Sequence, residues 1–481
     1  MVILFAFFLR GIFLVNVFPI FVGQDESRHY NTTQFLANSQ VLDCRSENIS
    51  QVKSDLSTYR YSEEIRELAR VAQNSQTRGS YYDKVIFNKG LDGLGEVDFK
   101  SKKHSFKQES CPPDLAVNFL GWGGFSLYHW LAGGVEKFLS GKNLFVRYDF
   151  LRIFSVFLGV ITLVLAYYIF KTVSFSTKES LLLTAIISFQ PKLSIYFTNI
   201  NYDVLLMPLW TGFIFLGLLI LKNGWTLFRG VVIFLLFCLA VMTKATAFSL
   251  LGLLLFLLGK TIYFKFKTHF SGKRFFGIIL LVAVFLIVLL YWFLGKLGLL
   301  AMFELKMFGS LGEYLSKSLP KIYGSSRDYW GVTSWSQNNL TLWYVRIIWL
   351  VELLAGMGLI FSFVGHRFFP GWQKKNVFNV KYFWFVFLAL FSLQFGIRVA
   401  DWKIFSLTGK LNLGTPGRYW FPNIIPHFIL VGWGLKSLVN FIWREELRRG
   451  YFALILSLFL VLMICYWFYE VWDIIIPRYY L

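Results

Sequence analysis

Apolar runs long enough to cross a lipid bilayer recur along most of this 481-residue chain, from Met1 onwards and most densely after about residue 149. A membrane-crossing helix needs about 20 apolar residues, and soluble domains seldom exceed about half apolar residues; here the hydrophobic fraction is 56%. In lipid the backbone must satisfy its own hydrogen bonds, which leaves helices or closed barrels. The alternation of a barrel strand is absent, so the sequence predicts an all-α, polytopic membrane protein embedded in a lipid bilayer.

Eleven segments are predicted to be transmembrane helices. They lie at residues 2–22, 150–171, 180–198, 203–221, 229–243, 247–264, 275–297, 342–364, 381–399, 419–441 and 450–471. The first resembles a secretion signal, but Arg10 interrupts it and no small-residue cleavage motif precedes Gln24, so we interpret it as a retained span. The predicted organisation is a first transmembrane helix at 1–23, an extracytoplasmic loop with juxtamembrane helices at 24–148, a transmembrane bundle at 149–298, an external loop at 299–341, and C-terminal transmembrane helices at 342–481.

The distribution of positive charge predicts the orientation of the chain. Lys and Arg number 48 against 27 Asp and Glu, a net charge of +21, which in a soluble protein would suggest nucleic acid. The excess lies in short loops between spans, where it acts as an orientation signal, so we predict no nucleic-acid partner. An alternating path from a cytoplasmic N-terminus, as in a bacterial-type cytoplasmic membrane, places these loops inside and the polar segment 24–147 outside.

That polar segment contains patterned stretches. NTTQFLANSQVL and YSEEIRELARVAQN are predicted to be amphipathic helices at the membrane interface. NFLGWGGFSLYHWLAGGVEKFL, aromatic but broken by glycines, predicts a re-entrant or surface-lying helix pair. Cys44 and Cys111 in this segment form either a disulfide or two free thiols, whereas Cys238 and Cys465 lie within spans and are predicted to be small core residues.

Four short polar clusters stand at the predicted outer ends of spans. They are Asp25, Glu26 and His29 after the first span, Asn201 and Asp203 in TNINYD, Lys244 in TKATA, and Arg418 in TPGRYWFP. Ionisable side chains at such depth usually face a cavity or a partner, because exposing them to lipid is costly. The simpler interpretation is a solvated acidic pair at 25–26 and cations that snorkel to lipid headgroups.

These residue types match the needs of group transfer from a lipid phosphate at headgroup level. A carboxylate removes the proton from an acceptor hydroxyl, and Arg and Lys neutralise the charge that grows on the departing phosphate. A polyprenyl phosphate is already a stable leaving group, so the reaction requires no strong general acid.

The order of the motifs resembles that of the GT-C superfamily, the polytopic glycosyltransferases that use polyprenyl-phosphate sugars. GQDESRHY resembles the family's DE..H segment after the first span, and RYDFLRIFSVFLGV its second conserved span with a leading Arg. ISFQPKLSIYFTNINYD resembles the P…N.D junction, LAVMTKATAFSLL the pair of short spans, and GRYWFPNIIPHFIL the late GRY.fP helix. DYWGVTSWSQNN is similar to a WG.fgW segment of one bacterial branch of predicted integral membrane proteins.

This resemblance implies an enzyme that takes a sugar from a polyprenyl-phosphate sugar donor and passes it to an extracytoplasmic acceptor: a cell-envelope glycan, a lipid or a protein. It implies Asp25 and Glu26 as the catalytic carboxylates, with Asp25 activating the acceptor hydroxyl. The residues implied in substrate binding are His29, Arg152, Asn201, Asp203, Lys244, Arg418 and Tyr419. Among these, Lys244 and Arg418 are expected to hold the phosphate.

Several alternatives stay open in the sequence. Asp203 is either a second acid or the structural partner of a cation, and Arg152 either binds a ligand or pairs with Asp149 or the bundle interior. No metal-ligand spacing is present, and Asp25 and Glu26 are too few ligands to decide whether Mg or Mn binds beside Asp25; no other cofactor is predicted. A transporter or flippase of lipid-linked sugars would line its path with the same charges, and a non-enzymatic assembly protein of the cell envelope is a third class.

Overall fold

The structure, a computed structural model, describes residues 1–18, 26–37, 126–267, 309–331, 342–368, 378–409, 411, 417–443 and 445–477. These residues form helices joined by short connections, and no β-strand occurs among them. The α-helices are, in chain order, α1 (Val2–Val17), α2 (Glu26–Ala37), α3 (Leu127–Phe138), α4 (Leu144–Thr172), α5 (Thr177–Ser188), α6 (Pro191–Tyr196), α7 (Asp203–Asn223), α8 (Leu227–Thr243), α9 (Leu250–Lys267), α10 (Leu311–Ser318), α11 (Lys321–Gly331), α12 (Leu342–Phe368), α13 (Val380–Thr408), α14 (Ile424–Ile442) and α15 (Glu445–Tyr469). Short 3-10 helices at Ala245–Ser249 and Gly417–Asn423 precede α9 and α14, and a π-helix at Glu470–Ile475 follows α15.

Among the described residues, six helical segments are long and apolar enough to cross a membrane, which confirms the prediction of an all-α protein with several spans. They are Leu144–Thr172, Asp203–Asn223, Leu342–Val364, Val380–Ser406, Gly417–Ile442 and Leu447–Ile475. Shorter apolar helices lie at Val2–Val17, Leu227–Thr243 and Ala245–Thr261. The predicted span at 275–297 lies outside the described residues, so the total of eleven and the domain boundaries stay predictions.

The predicted span at 180–198 is interrupted. It consists of α5 and α6, and Pro191 begins α6 because a proline ring has no N–H to continue the preceding helix. The Gln190 side chain caps α6 by accepting from the Leu193 N–H. At the break, the Arg10 guanidinium donates to the Ser188 carbonyl at 2.6 Å and lies 3.7 Å from the centroid of the Phe189 ring. The residue that interrupts the first apolar run therefore satisfies a carbonyl at the end of a neighbouring helix.

The segment after the first span is buried more deeply than the sequence predicts. The helix predicted at the start of NTTQFLANSQVL is present as far as Ala37, but Asn31 and Gln34 are 3% and 0% exposed, so its polar residues pack inside the protein. α2 packs against α3, which buries His129 and Glu136 and exposes Trp130 and Phe138, as in a surface-lying helix. The stretches YSEEIRELARVAQN and GWGG and the residues Cys44 and Cys111 lie outside the described residues.

Two close helix contacts fix the arrangement of the bundle. A Cβ on Gly434 of α14 would overlap the Ala355 backbone of α12, so the two helices touch at their backbones. A Cβ on Gly417 would likewise overlap the Ser325 and Tyr329 backbone of α11. The long α4 packs against α1, α5 and α7. The ends of α1, α6 and α8 lie beside the starts of α7 and α14. We call this the site end of the bundle.

The prediction that Cys238 and Cys465 are small core residues is wrong. Cys465 is exposed and Cys238 is half-buried, and both are free thiols. A thiol is a weakly polar group, so a helix face directed away from the bundle accommodates it.

Candidate functional site

Glu26, the first residue of α2, forms a bidentate ion pair with Arg152 of α4. Arg152 Nε lies 2.9 Å from Glu26 Oε1 and Nη2 lies 2.8 Å from Oε2, with both side chains 0% exposed. Arg152 Nη1 also donates to the Phe18 carbonyl at 2.7 Å, and the Ile200 N–H donates to Glu26 Oε1 at 3.0 Å. The pair therefore joins the end of α1, the start of α2, helix α4 and the α6–α7 connection.

This geometry decides two of the open interpretations. Glu26 is not one of a solvated acidic pair, because its carboxylate is buried and occupied by Arg152. Arg152 pairs mainly with Glu26 inside the bundle, with Asp149 contributing only electrostatically. Asp25 lies outside the described residues, so its catalytic role stays a prediction.

His29, also on α2, contacts a histidine that sequence reasoning missed. His29 Nδ1 lies 3.0 Å from His129 Nε2 and the rings stack at 5.2 Å, while His129 Nδ1 lies 3.1 Å from Ser126 Oγ. The Tyr202 ring meets His29 edge-on at 4.7 Å. Burial lowers the pKa of His129 to about 3, so its ring is neutral at physiological pH and joins the His29 ring to Ser126 by hydrogen bonds.

Lys244 is enclosed by an acid and two aromatic rings, which we call the lysine cage: Lys244, Asp203, Tyr202 and Tyr419. Lys244 Nζ lies 2.6 Å from Asp203 Oδ1, 4.9 Å from the Tyr202 centroid and 4.2 Å from the Tyr419 centroid. Both contacts with the rings are cation–π interactions. The Lys244 side chain is 12% exposed, so it does not extend to the lipid headgroups. The simpler interpretation of Lys244 as a snorkelling cation is therefore wrong.

Local backbone structure positions the lysine cage. Lys244 is the extended residue between α8 and the following 3-10 helix, which turns its side chain back toward the start of α7. Asp203 is the first residue of α7, and its N–H donates to Asn201 Oδ1 at 2.9 Å. Asn201 therefore positions Asp203.

The charges in the lysine cage shift one another's pKa. Lys244 pulls the pKa of Tyr202 down, but burial and Asp203 outweigh it and raise that pKa to about 12. Burial lowers the pKa of Lys244, yet Asp203 and the two tyrosines raise it above its ordinary value. Lys244 is therefore a protonated cation at neutral pH.

Arg418 supplies a second cation beside the lysine cage. It is the second residue of the 3-10 helix that leads into α14, is half-buried, and its guanidinium carbon lies 5.3 Å from the Tyr419 centroid. It also interacts electrostatically with Tyr196 and Tyr202. All the predicted site residues except Asp25 therefore lie in one contiguous network at the site end.

Further polar groups border this network, and the sequence pattern did not single them out. Lys192 of α6 forms an ion pair with Asp328 of α11. His427 Nε2 lies 3.0 Å from Glu352 Oε1 of α12, and His427 Nδ1 lies 3.2 Å from the Tyr329 hydroxyl. The sequence does carry a signal for such residues. Each ionisable side chain within an apolar run is costly in lipid unless it has a partner, so its presence there predicts a partner.

Glu470 is a different case. It opens the π-helix, is 0% exposed, and neither carboxylate oxygen has a hydrogen-bond partner in the part of the chain that the structure describes. Lys192 interacts with it electrostatically. A π-bulge at this position aims a buried carboxyl group toward the α6 side of the site end.

The described residues provide no ready metal centre. No three His, Cys, Asp or Glu side chains among them are placed to hold a metal ion. The divalent ion left open by the sequence was assigned to Asp25, which is not among those residues.

Comparison with known proteins assigns this chain to no family. No family model, curated protein or solved structure matches this chain. A functional assignment therefore depends on the site residues themselves.

Proposed function

We propose that this chain is a membrane glycosyltransferase of the GT-C type that moves a sugar from a polyprenyl-phosphate donor to an acceptor on the extracytoplasmic side of a bacterial-type cytoplasmic membrane. The observation that supports it best is the lysine cage beside Arg418. Two cations, one caged by aromatic rings and one half-buried, meet at the end of a bundle of membrane-spanning helices. A phosphate carried by a lipid is the anion that reaches such a position.

The two cations would divide the work on the phosphate. Arg418 binds two phosphate oxygens with its planar guanidinium. Lys244 is a compact cation with three N–H donors; Asp203 holds one of them and so positions Nζ, and the phosphate accepts from another. As the bond between the sugar C1 and the phosphate oxygen breaks, both cations stabilise the negative charge left on the phosphate.

Asp25 would act on the acceptor side. Its carboxylate takes the proton of an acceptor hydroxyl, whose oxygen forms the new bond to C1 from the opposite face of the sugar, with inversion. Glu26 is bound to Arg152 and Ile200, so in this proposal it is a positioning residue that fixes the start of α2. The hydrogen bond between His29 and His129 fixes the orientation of the His29 ring.

The test is an in vitro transfer assay with purified full-length protein and a panel of polyprenyl-phosphate sugars. We expect turnover with one donor class and loss of turnover in Asp25→Asn. Glu313→Gln is the matched control, because Glu313 is a 60% exposed carboxylate on α10 that pairs with its helix neighbour Lys317. Unchanged turnover in Asp25→Asn would remove Asp25 from the mechanism.

One observation favours the alternative of a transporter or flippase for lipid-linked sugars. Transporter sites are often built where transmembrane helices are discontinuous, and the α5–α6 break lies beside Lys192 and the buried Glu470. Proteoliposomes loaded with a lipid-linked sugar separate the two functions. A flippase moves the lipid between leaflets without releasing polyprenyl phosphate, whereas the transferase releases polyprenyl phosphate only when an acceptor is added.

A further inference from the structure

A cavity lies at the opposite end of the bundle from the lysine cage. Its volume is about 1260 Å³, and it is bordered by the α4–α5 connection, the last turns of α14 and the first turns of α15. From Arg152 to Thr172, where α4 ends, a helix rises on the order of 30 Å, which is the thickness of a bilayer's hydrocarbon core. The cavity therefore belongs to the other membrane face and is separate from the proposed transferase site.

The lining of the cavity carries an excess of positive charge. Among the residues that the structure describes, four cations line it, Lys178, Lys436, Arg448 and Arg449, against one acid, Glu179. Glu179 is already used, because it pairs with Lys436 at 2.9 Å and accepts from the Ser176 N–H at 2.7 Å. The described part of the lining therefore has a positive balance, from Lys178, Arg448 and Arg449.

Arg448 is held in place within that lining. Its Nε donates to the Trp443 carbonyl at 2.7 Å, which fixes the guanidinium at the start of α15. Lys178 and Arg449 are exposed side chains on either side of the opening. A ligand anion can therefore meet one fixed and two adaptable cations.

Part of the cavity wall is apolar, formed by Phe175, Phe452, Ala453 and Leu454 between polar residues, and it continues onto a helix face. The Phe175 and Phe452 rings stack at 6.5 Å, and Lys436 Nζ lies 5.5 Å from both centroids. Gly450 and Leu454 line the cavity four residues apart on α15, so they share one face of that helix. Leu454 is 52% exposed, so this face runs from the cavity toward lipid.

We propose that this cavity binds the headgroup of an anionic phospholipid, with Lys178, Arg448 and Arg449 around the phosphate and an acyl chain along the Gly450–Leu454 face of α15. Basic pockets between transmembrane helices suit such headgroups because cations attract the anionic leaflet. A free anion would use the cations but would leave the apolar face unoccupied. The proposal does not depend on the transferase function, since it concerns the other end of the bundle.

The experiment measures phospholipid binding to detergent-purified full-length protein by native mass spectrometry. We expect phosphatidylglycerol to bind at least tenfold more tightly than zwitterionic phosphatidylcholine. The double variant Lys178→Gln/Arg449→Gln should lose about thirtyfold in phosphatidylglycerol affinity. The reason is that each of the two removed cations strengthens binding to the anionic headgroup by a similar, modest factor. Lys222→Gln is the matched control, an exposed lysine at the end of α7 that does not line the cavity, and it should change affinity less than twofold.

A second variant tests the apolar part without changing charge. A Cβ at Gly450 meets no atom within 4 Å, so Gly450→Leu should fold normally while filling the acyl path and lowering phosphatidylglycerol affinity. The proposal is overturned if phosphatidylglycerol and phosphatidylcholine bind equally, or if the double variant keeps the preference. It is also overturned if millimolar inorganic phosphate displaces the lipid, which indicates a free-phosphate site, or if polyprenyl phosphate binds more tightly than phosphatidylglycerol.

Discussion

Glu26 and Arg152 form a fully buried, bidentate ion pair across 126 positions of sequence. Breaking such a pair leaves one uncompensated buried charge, which costs about 3–5 kcal/mol. We therefore expect Arg152→Met to lower the free energy of unfolding in mild detergent by that amount. Equilibrium denaturation followed by tryptophan fluorescence measures it.

The control for this change removes an exposed pair. Glu313→Gln breaks the i,i+4 contact with Lys317 and should shift the free energy of unfolding by no more than about 0.5 kcal/mol. The double change Glu26→Leu/Arg152→Met should recover part of the loss, because no charge then remains buried alone. A double variant less stable than either single variant would contradict this account.

The pKa of His129 makes stability depend on pH. Its folded-state pKa is about 3 against an ordinary value of 6.5, so below pH 6.5 the unfolded chain binds a proton that the folded chain does not. The stabilisation is complete above pH 6.5 and is lost toward pH 3, with a slope of about 1.4 kcal/mol per pH unit at most. Unfolding measured from pH 7 to pH 4 should show this slope in the native protein and a shallower one in His129→Asn. Leu131→Ala, an exposed change on the same helix that removes no titratable group, should keep the native slope.

Gly417 allows α11 to pack closely against the 3-10 helix that contains Arg418. Gly417→Ala forces its Cβ against the Ser325 and Tyr329 backbone, so we expect a loss of about 1–3 kcal/mol in the free energy of unfolding together with reduced activity. Gly324 on α11 has open space around its Cβ position. Gly324→Ala should therefore be neutral or stabilising, by up to about 1 kcal/mol. Equal destabilisation by both changes would show that the contact is not specific.

The buried Glu470 is predicted to cost stability. Its carboxylate oxygens have no hydrogen-bond partner among the described residues, and an unsatisfied buried polar group costs about 1–3 kcal/mol. Glu470→Leu should therefore raise the midpoint of thermal unfolding, whereas Asp473→Asn, an exposed acid of the same π-helix, should leave it unchanged. A lower midpoint in Glu470→Leu would indicate a partner for the carboxylate that this account lacks.

The sequence predicted which residues share one end of the bundle, because alternating spans bring every second connection to the same face. Asn201, Lys244 and Arg418 were assigned to that end on this reasoning, and the structure joins them through Asp203 and Tyr419.

The partners of those residues could not be predicted in the same way. His129 lies in a glycine-rich stretch with no ligand spacing, and its distance from His29 is set by the packing of α2 on α3. The α5–α6 break was hidden because apolar residues continue through Pro191, and apolar length alone cannot distinguish one helix from two. The burial of α2 escaped for a related reason, since polar residues such as Asn31 and Gln34 ordinarily mark exposed faces.

Lys244 gives the sharpest test of the proposed phosphate site. Lys244→Gln removes the caged cation and should lower kcat/KM for transfer by about 10²–10³, the usual cost of losing one group that stabilises a developing anion. Lys317→Gln, an exposed lysine of α10, is the matched control and should retain native kinetics. Asp203→Asn should mainly raise KM, because Asp203 positions Lys244 through their 2.6 Å contact rather than contacting the phosphate. If Asp203→Asn instead abolished kcat while donor affinity stayed native, Asp203 would be an active-site acid, and the assignment of Lys244 to the phosphate would have to be revised.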